Sequence, residues 1–402
     1  MAACGTFQPK PFDETLYLRH AIVRTDGDIT VTADVLTPQE GKEVLGGNPA
    51  AMGIQPVWLR IENKGKRPYW FLPHRLDPEY YSALEVANML HGSGSKKPNK
   101  SIYDYFYEEQ MARYIPSGET RSGFVFTNYE RGMKHLAIKL IGENSVKRFY
   151  LAFEIPGPRM DYQKVDFERL YKAEEIVELD LAGLRQRLEF LACCTASSQG
   201  KDFADPLNLV IVGDRTLVMA ALLGRGWSLT ETIRAGSVYK MIFSSLFGVR
   251  YRTAPISPLY WQGRPQDFAM QKTRSNVNRR NHLRLWLSSM TTDGKPVWVG
   301  QISRDIGIKF TTKSPYLVTH EISSNIDEAR HYITEDLVAS NAVQKIGYVR
   351  GMEQVTRSAP RQNLTGDDYF TDGLRVVLFL EDRYTPLDQI KLLDWETPAD
   401  RW

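Results

Sequence analysis

The sequence predicts a two-domain chain, an N-terminal all-β sandwich followed by an α+β domain built on a mixed sheet. Three observations carry this. At 402 residues the chain is too long for one ordinary core. Residues 16–160 hold runs that alternate apolar and polar side chains at period two, with turn signals between them. Beyond residue 160, stretches with helical apolar spacing alternate with strand-like runs. An apolar share of 42% with 25% charged residues is that of a folded globular protein, not a disordered one. No apolar run approaches the roughly 20 residues that cross a bilayer. The net charge of +3 is too small for the dense basic stripe of a duplex-DNA binder, so nucleic acid is not expected as a partner.

Residues 1–15 read as an address and a tether. Ala2-Ala3-Cys4-Gly5 resembles the end of a bacterial lipobox, in which small residues precede an acylated cysteine. The Pro-bearing stretch Thr6 to Phe12 suits a tether from a membrane to a folded domain. Multiple acyl chains would anchor it stably. On this reading Cys4 carries lipid, and the chain sits at the periplasmic face of the envelope, the outer membrane being favoured. The plainer reading is an ordinary free thiol.

Within residues 16–160, Leu16 to Asp34 alternates (Leu16, Leu18; Ile29, Val31, Ala33), and so do Val57, Leu59 and Ile61, ending at an Asn63-Lys64-Gly65-Lys66 turn. Tyr69 to Leu72 reads as the returning strand. Ser122 to Phe126 and Leu136 to Leu140 flank a Glu130-Arg131-Gly132 turn, and Arg148 to Ile155 supplies a last strand. Strands at this spacing suggest a sandwich of the immunoglobulin class. Leu76 to Tyr81 and Tyr103 to Tyr107 read as aromatic loops that pack rather than bind. No nucleophile and base pair is apparent here, which makes this module a spacer or docking domain.

Residues 161–205 read as a helical joint. Val165 to Tyr171 and Leu181 to Leu191 are helix-compatible, and Leu181, Leu184, Leu188 and Leu191 share one helical face. With three cysteines and no CxxC or Cys/His ladder, a structural zinc site is not expected. Adjacent Cys193 and Cys194 leave two readings open. They form a vicinal bridge, whose neighbouring Cα atoms sit about 3.8 Å apart, below the range disulfides prefer, and which serves as a redox element. Otherwise they are two reduced thiols.

Residues 206–385 form the α+β domain, and 386–402 a tail that docks through Leu392, Leu393 and Trp395 while Asp394, Glu396 and Asp400 stay solvated. Asp205 to Asp214 reads as a buried strand and turn, followed by a helix from Thr216 to Leu223. The lone Gly213, without GxGxxG or GK[ST], makes no phosphate loop. His282, Arg284 and Trp286 share one strand face; Val297, Val299 and Gln301 share a face of the next strand, with Trp298, Gly300 and Ile302 opposite. Ser303 to Gly307 reads as a strand end or bulge that aims a carboxylate. A helix over Ile326–Ala339 would set Asp327, Arg330 and His331 on one face. Asp367 to Leu374 leads into a final strand, Arg375 to Leu380.

Across roughly residues 175–385 the chain resembles the LssY C-terminal domain family. The match runs through Cys193-Cys194-Thr195, Asp205 to Val210, Ser257-Pro258-Leu259-Tyr260, Gly263 to Asp267, His282 to Trp286, Val297 to Gly300, Ser303 to Gly307, Thr319-His320 and Asp327 to Arg330. In some relatives this domain follows membrane-embedded segments resembling the DedA and PAP2 phosphatase families. The resemblance therefore implies envelope work near lipid phosphates, but it brings no established activity and no cofactor.

The stretch from Arg264 to Arg330 reads as one polar pocket whose binding residues are Arg264, Asp267, Lys272, His282, Arg284, Asp305, His320, Asp327 and Arg330. Arg264, Lys272, Arg279, Arg280 and Arg284 suit a phosphate or carboxylate bound without turnover. His282, Asp305, His320 and Asp327 suit a divalent metal that activates water, although no HxH or HExxH spacing is present. His282 or His320 oriented by Asp305 suits a general base in a metal-free hydrolase. A buried ionic network that fixes the sheet is the fourth reading. The leading expectation is an envelope-anchored binding or assembly lipoprotein that recognises an anionic envelope component. The alternatives are a hydrolase of a phosphorylated envelope molecule and a purely structural subunit of an envelope assembly.

Overall fold

The structure, a computed structural model, describes residues 13–91, 100–200, 203–231, 256–273, 280–310 and 318–398, leaving out the side chains of residues 91, 308–310 and 318–320. Cys4, Arg279 and Asp400 lie outside these residues. Strands outnumber helices and are gathered into several sheets. The chain divides into two compact units, Met1–Gly157 and Pro158–Trp402. No helix among the described residues is long and apolar enough to cross a membrane.

In the N-terminal unit one sheet runs β1 (Ile22–Asp26), β2 (Ile29–Val35), β3 (Ile54–Asn63) and β6 (Thr120–Asn128). A second runs β5 (Tyr114–Ile115), β4 (Tyr69–Phe71), β7 (Met133–Gly142) and β8 (Ser145–Glu154). Alternation explains the layer between them: Ile29, Val31, Ala33, Val57, Leu59 and Ile61 pack against Leu136, Ile138, Leu140, Phe149 and Leu151. β4 does not return beside β3 as the sequence suggests; it pairs with β5 and β7 in the other sheet. Asn63 ties that crossing, its amide donating to the Arg67 and Pro116 carbonyls at 2.8 and 2.9 Å.

An all-β description misses the helices of this unit. Tyr103 to Tyr107, read as a loop, lies in helix α2 (Lys100–Glu108), preceded by α1 (Ala83–His91). Ile102 and Phe106 are four apart and both buried, the spacing of one helical face. With Val86 and Ala87 of α1 they join the cluster of Trp58, Phe124 and Phe126, on the face of β3 that points away from the sandwich layer. That second covered face is why β3 is apolar on both sides.

In the C-terminal unit the main sheet is mixed, and it has ten strands among the described residues. Its path runs β10 (Ser228–Leu229), β11 (Phe268–Thr273), β12 (Arg280–Thr292), β13 (Lys295–Phe310), β9 (Leu209–Val212), β16 (Leu374–Leu380), β15 (Val343–Arg350) and β17 (Lys391–Leu392). β14 (Val318–Ile322) pairs with β13, and the short strand Val177–Glu178 pairs with β12. β9 lies parallel to β16 and antiparallel to β13, which makes the sheet mixed.

Helix α3 (Leu181–Glu189) starts at Asp180, whose carboxylate accepts from Gly183 N, and buries Leu184 and Leu188 against Trp286, Val297 and Val299 on one sheet face. Helices α4 (Arg215–Leu223) and α5 (Ile326–Val338) complete the layers. Asn325 caps α5, and Asp327 and Glu328 in its first turn suit the helix dipole. Two sequence expectations are corrected here, and one open question is decided. Within residues 165–171 only a short 3-10 turn, Phe167–Arg169, forms rather than an α-helix, after another at Asp161–Lys164. Cys193 and Cys194 are joined in a vicinal disulfide. In the tail, Leu393 and Trp395 pack on the core but Leu392 stays exposed, and Glu396 is ion-paired with Arg185 and Arg350 rather than solvated alone.

Candidate functional site

Strand register decides which of the expected site residues meet. β11, β12 and β13 align Gln271 with His282 and Ser303, Ala269 with Arg284 and Gln301, and Lys272 with Asn281 and Arg304. Period two then sends Gln271, Arg280, His282, Arg284, Gln301, Ser303 and Asp305 to one face and Lys272, Asn281 and Arg304 to the other. α5 covers the second face: Arg304 Nη1 lies 3.8 Å from Glu328, and Lys272 and Arg304 lie 5.4 and 5.3 Å from the Tyr332 ring centroid. The sheet therefore separates Lys272, Asp327 and Arg330 from His282, Arg284 and Asp305. The single convergent pocket expected from Arg264 to Arg330 is not what forms; the described residues make four networks.

The first holds the strand before β11. Arg264 donates to Asp267 at 2.6 Å, to the Tyr171 hydroxyl at 3.0 Å and to the Leu287 carbonyl at 2.9 Å, while Asp267 accepts from Leu287 N at 2.6 Å. These side chains bind the backbone groups of β12 just past the end of its pairing with β11. In the second, Asp336 of α5 accepts from Lys272 at 3.0 Å, Arg225 at 3.0 Å and the Trp227 indole at 2.8 Å. In the third, Arg330 forks onto Asp372 at 2.5 and 2.6 Å and reaches the Leu374 carbonyl at 2.7 Å. Asp327 sits 3.3 Å from the same guanidinium and accepts from Thr371 and from Asp372 N, both at 2.8 Å.

The fourth, on the His282 face, is the candidate site. Asp305 Oδ2 lies 3.1 Å from His282 Nε2 and 3.3 Å from Arg280 Nε, and Arg280 also donates to Gln271. The register between β13 and β14 shifts from Asp305 to Gly307, so a bulge follows the carboxylate while the strand itself continues to Phe310. Arg284 donates to Gln301 at 2.7 Å and to the Ser257 carbonyl at 3.2 and 3.1 Å, and no carboxylate is within ion-pair distance among the described residues. Two further acids belong to its surroundings. Asp205 accepts from Asn363 at 3.1 Å and Asp161 from Thr230 at 2.8 Å, and burial raises the pKa of both. The sequence reading missed these two, although Asp205 stands inside the stretch that carries the family resemblance.

Only 7% of His282 and 2% of Asp305 are exposed, so the pair is enclosed rather than presented in a cleft. His320 stands opposite Ile308 in the β13–β14 register, and its side chain is outside what is described. The four-residue metal set does not assemble from its other members, since Asp327 lies across the sheet from His282 and Asp305. Among the described residues no group of three or more His, Cys, Asp or Glu is gathered as a cation site.

Burial pushes the Asp305 carboxyl up to about 7, against the opposing pull of Arg280 and Arg284. Unfolded, the same group titrates near ~3.9. Between these values the folded chain binds the extra proton, so the stability contributed by Asp305 is present below about pH 4 and lost as pH rises toward 7. The stability of the native protein relative to Asp305→Asn should accordingly fall between about pH 4 and pH 7, by an amount on the order of a few kcal/mol, and level off above it. Urea titrations across the range measure it, and a flat difference would mean that Asp305 stays ionised throughout.

Residues 188–374 match the family described as LssY C-terminus. No curated protein matches the chain. One solved structure, the crystal structure of a yeast GGA1 GAE domain, aligns at 7% identity over 34% of this chain and 99% of its own, with a TM-score of 0.17. That overlap is too poor to carry an argument about fold or role.

Proposed function

We propose that this chain is a binding and assembly protein of the bacterial cell envelope, its N-terminal strands forming a sandwich-based docking domain and its C-terminal unit a rigid α+β platform. One observation carries the reading: among the described residues, the cations singled out for chemistry are held by the protein's own oxygens. Arg264, Lys272, Arg280, Arg284 and Arg330 all donate inward. A guanidinium so engaged fixes the sheet and its helices, and an incoming anion would have to displace those partners. The geometry therefore favours assembly over the anionic-pocket version of the same idea. The lipobox-like Ala2-Ala3-Cys4-Gly5 supports membrane attachment through an acylated Cys4.

A hydrolase is the second reading, and it rests on one proximity, His282 Nε2 at 3.1 Å from Asp305 Oδ2, a carboxylate beside an imidazole that could serve as a base. One experiment separates the two. Native protein, Cys4→Ser and His282→Ala are compared for membrane fractionation, for cross-linking into an envelope complex, and for turnover of phosphomonoester and phosphodiester probes with and without added divalent metal. The expected result is no turnover by any chain, release from membranes of Cys4→Ser alone, and an unchanged complex with His282→Ala. Turnover by the native protein that disappears in a folded His282→Ala overturns the assembly reading in favour of the enzyme.

A further inference from the structure

The N-terminal unit contains an open cleft of about 540 Å³, within the size range of small-ligand sites. It lies outside the family match and apart from the polar networks described above. Trp70, Tyr107 and Tyr114 line it with 47%, 60% and 51% of their surface exposed, whereas Trp58, Phe124 and Phe126 of the same unit are buried. Three large rings left in water around one opening are unusual enough to require a reason.

The walls are built rather than incidental. Trp70 and Tyr114 are paired directly across β4 and β5, with ring centroids 6.1 Å apart in an edge arrangement. Gln110 donates to the Tyr107 carbonyl at 3.0 Å, and its backbone presses on Gly123, where an added Cβ would meet it at 2.7 Å. Gly123 holds φ +156, so a side chain there would be both strained and obstructed. On the rim, Arg113 donates to the Tyr80 hydroxyl at 2.8 Å and has no carboxylate within ion-pair distance among the described residues.

We infer that this cleft binds a saccharide whose pyranose ring carries a carboxylate. Ring faces of Trp70 and Tyr114 offer apolar surface to the C–H face of a sugar, while Tyr80, Gln110 and Arg113 meet its hydroxyls. The guanidinium of Arg113 supplies the fork that a carboxylate fits. A proline-rich peptide also seeks aromatic grooves and offers carbonyl oxygens to the polar rim, but its uncharged interior leaves the charge of Arg113 without a counterion.

The full-length chain is titrated with a tetrasaccharide of hexuronic acid, with its neutral hexose counterpart and with a proline-rich peptide, by calorimetry and tryptophan fluorescence. The acidic tetrasaccharide should bind and the other two should not compete at equal concentration. Trp70→Ala should abolish binding, and Arg113→Gln should weaken it about tenfold or more. Both side chains are exposed, so unchanged melting curves are expected and confirm that folding is not the cause. Absence of binding by the acidic sugar, equal affinity for the neutral one, capture of the peptide instead, or an unaffected Trp70→Ala overturns the inference. Because these readouts do not depend on membrane attachment or on His282, they fail or succeed separately from the assembly reading.

Discussion

Replacing Arg375 with Met should lower the unfolding free energy of the C-terminal unit by an amount on the order of 5 kcal/mol. Arg375 is fully enclosed, and its guanidinium donates to five carbonyl oxygens. One of these, from Leu188, lies in the last turn of α3, where it also accepts from Leu191 N, and two, from Leu191 and Ala192, lie in the chain just past the helix end. The other two belong to Leu207, just before β9, and to Gly351, just after β15. One side chain thus ties a helix end to the ends of β9 and β15, the two strands that flank β16. Gly351 lacks the Cβ that would collide with the guanidinium, which is why the chain can approach so closely there.

Burial lowers the pKa of Arg375 to about 10, still well above neutrality, so the charge persists and the carbonyl dipoles stabilise it. Met keeps the apolar stem but stops short of the guanidinium, so it removes the partner of five carbonyls, two of them buried and three part-buried, and vacates the space that group filled. Each acceptor left unpaired costs about 1–3 kcal/mol when water cannot reach it. Arg375→Lys keeps the charge with fewer donors in a different geometry and should recover only part of the loss. Urea denaturation followed by tryptophan fluorescence measures both variants. A loss below about 1 kcal/mol for Arg375→Met would mean that water replaces the guanidinium and that the tie is dispensable.

Arg375 also shows where sequence reasoning stops. The strand Leu374–Leu380 was legible as an apolar run, and a single arginine inside it signals a buried cation, but nothing local names carbonyls 24 to 187 positions away. The same limit explains the site. Period two correctly separates His282 and Arg284 from their neighbours on β12, and the pairing of Lys272 with Asn281 then follows from register. Their partners do not. Asp336 and Asp372 reach Lys272 and Arg330 only because α5 lies across the sheet.

Local pattern failed in a different way at Tyr103 to Tyr107. Aromatic residues in succession suggest strand or loop, yet Ile102 and Phe106 are spaced for a helix, and packing under β3 decided between the two. At residues 165–171 the chain makes only a short 3-10 turn, Phe167–Arg169, instead of the helix its apolar spacing allows.

The Arg330 network supplies the second large expected effect, and a contrast that isolates its cause. Arg330 and Asp372 are completely enclosed, with Asp327 beside them. Arg330→Met removes the only cation this network shows between two buried carboxylates and should cost about 3–5 kcal/mol at pH 7. The exposed pair of Arg350 with Glu396, in which 78% of the arginine side chain is solvated, should cost no more than about 1 kcal/mol when Arg350 is changed to Met. Burial already raises the pKa of Asp327, and removal of Arg330 takes away the group that opposes that rise. The Arg330→Met deficit should therefore shrink as pH falls toward 5, because protonation relieves the repulsion between Asp327 and Asp372. Adding Asp372→Asn to Arg330→Met should recover stability at pH 7 for the same reason. A deficit that is independent of pH and unaffected by Asp372→Asn would trace the loss to packing of the arginine stem, and the electrostatic account of this joint would be wrong.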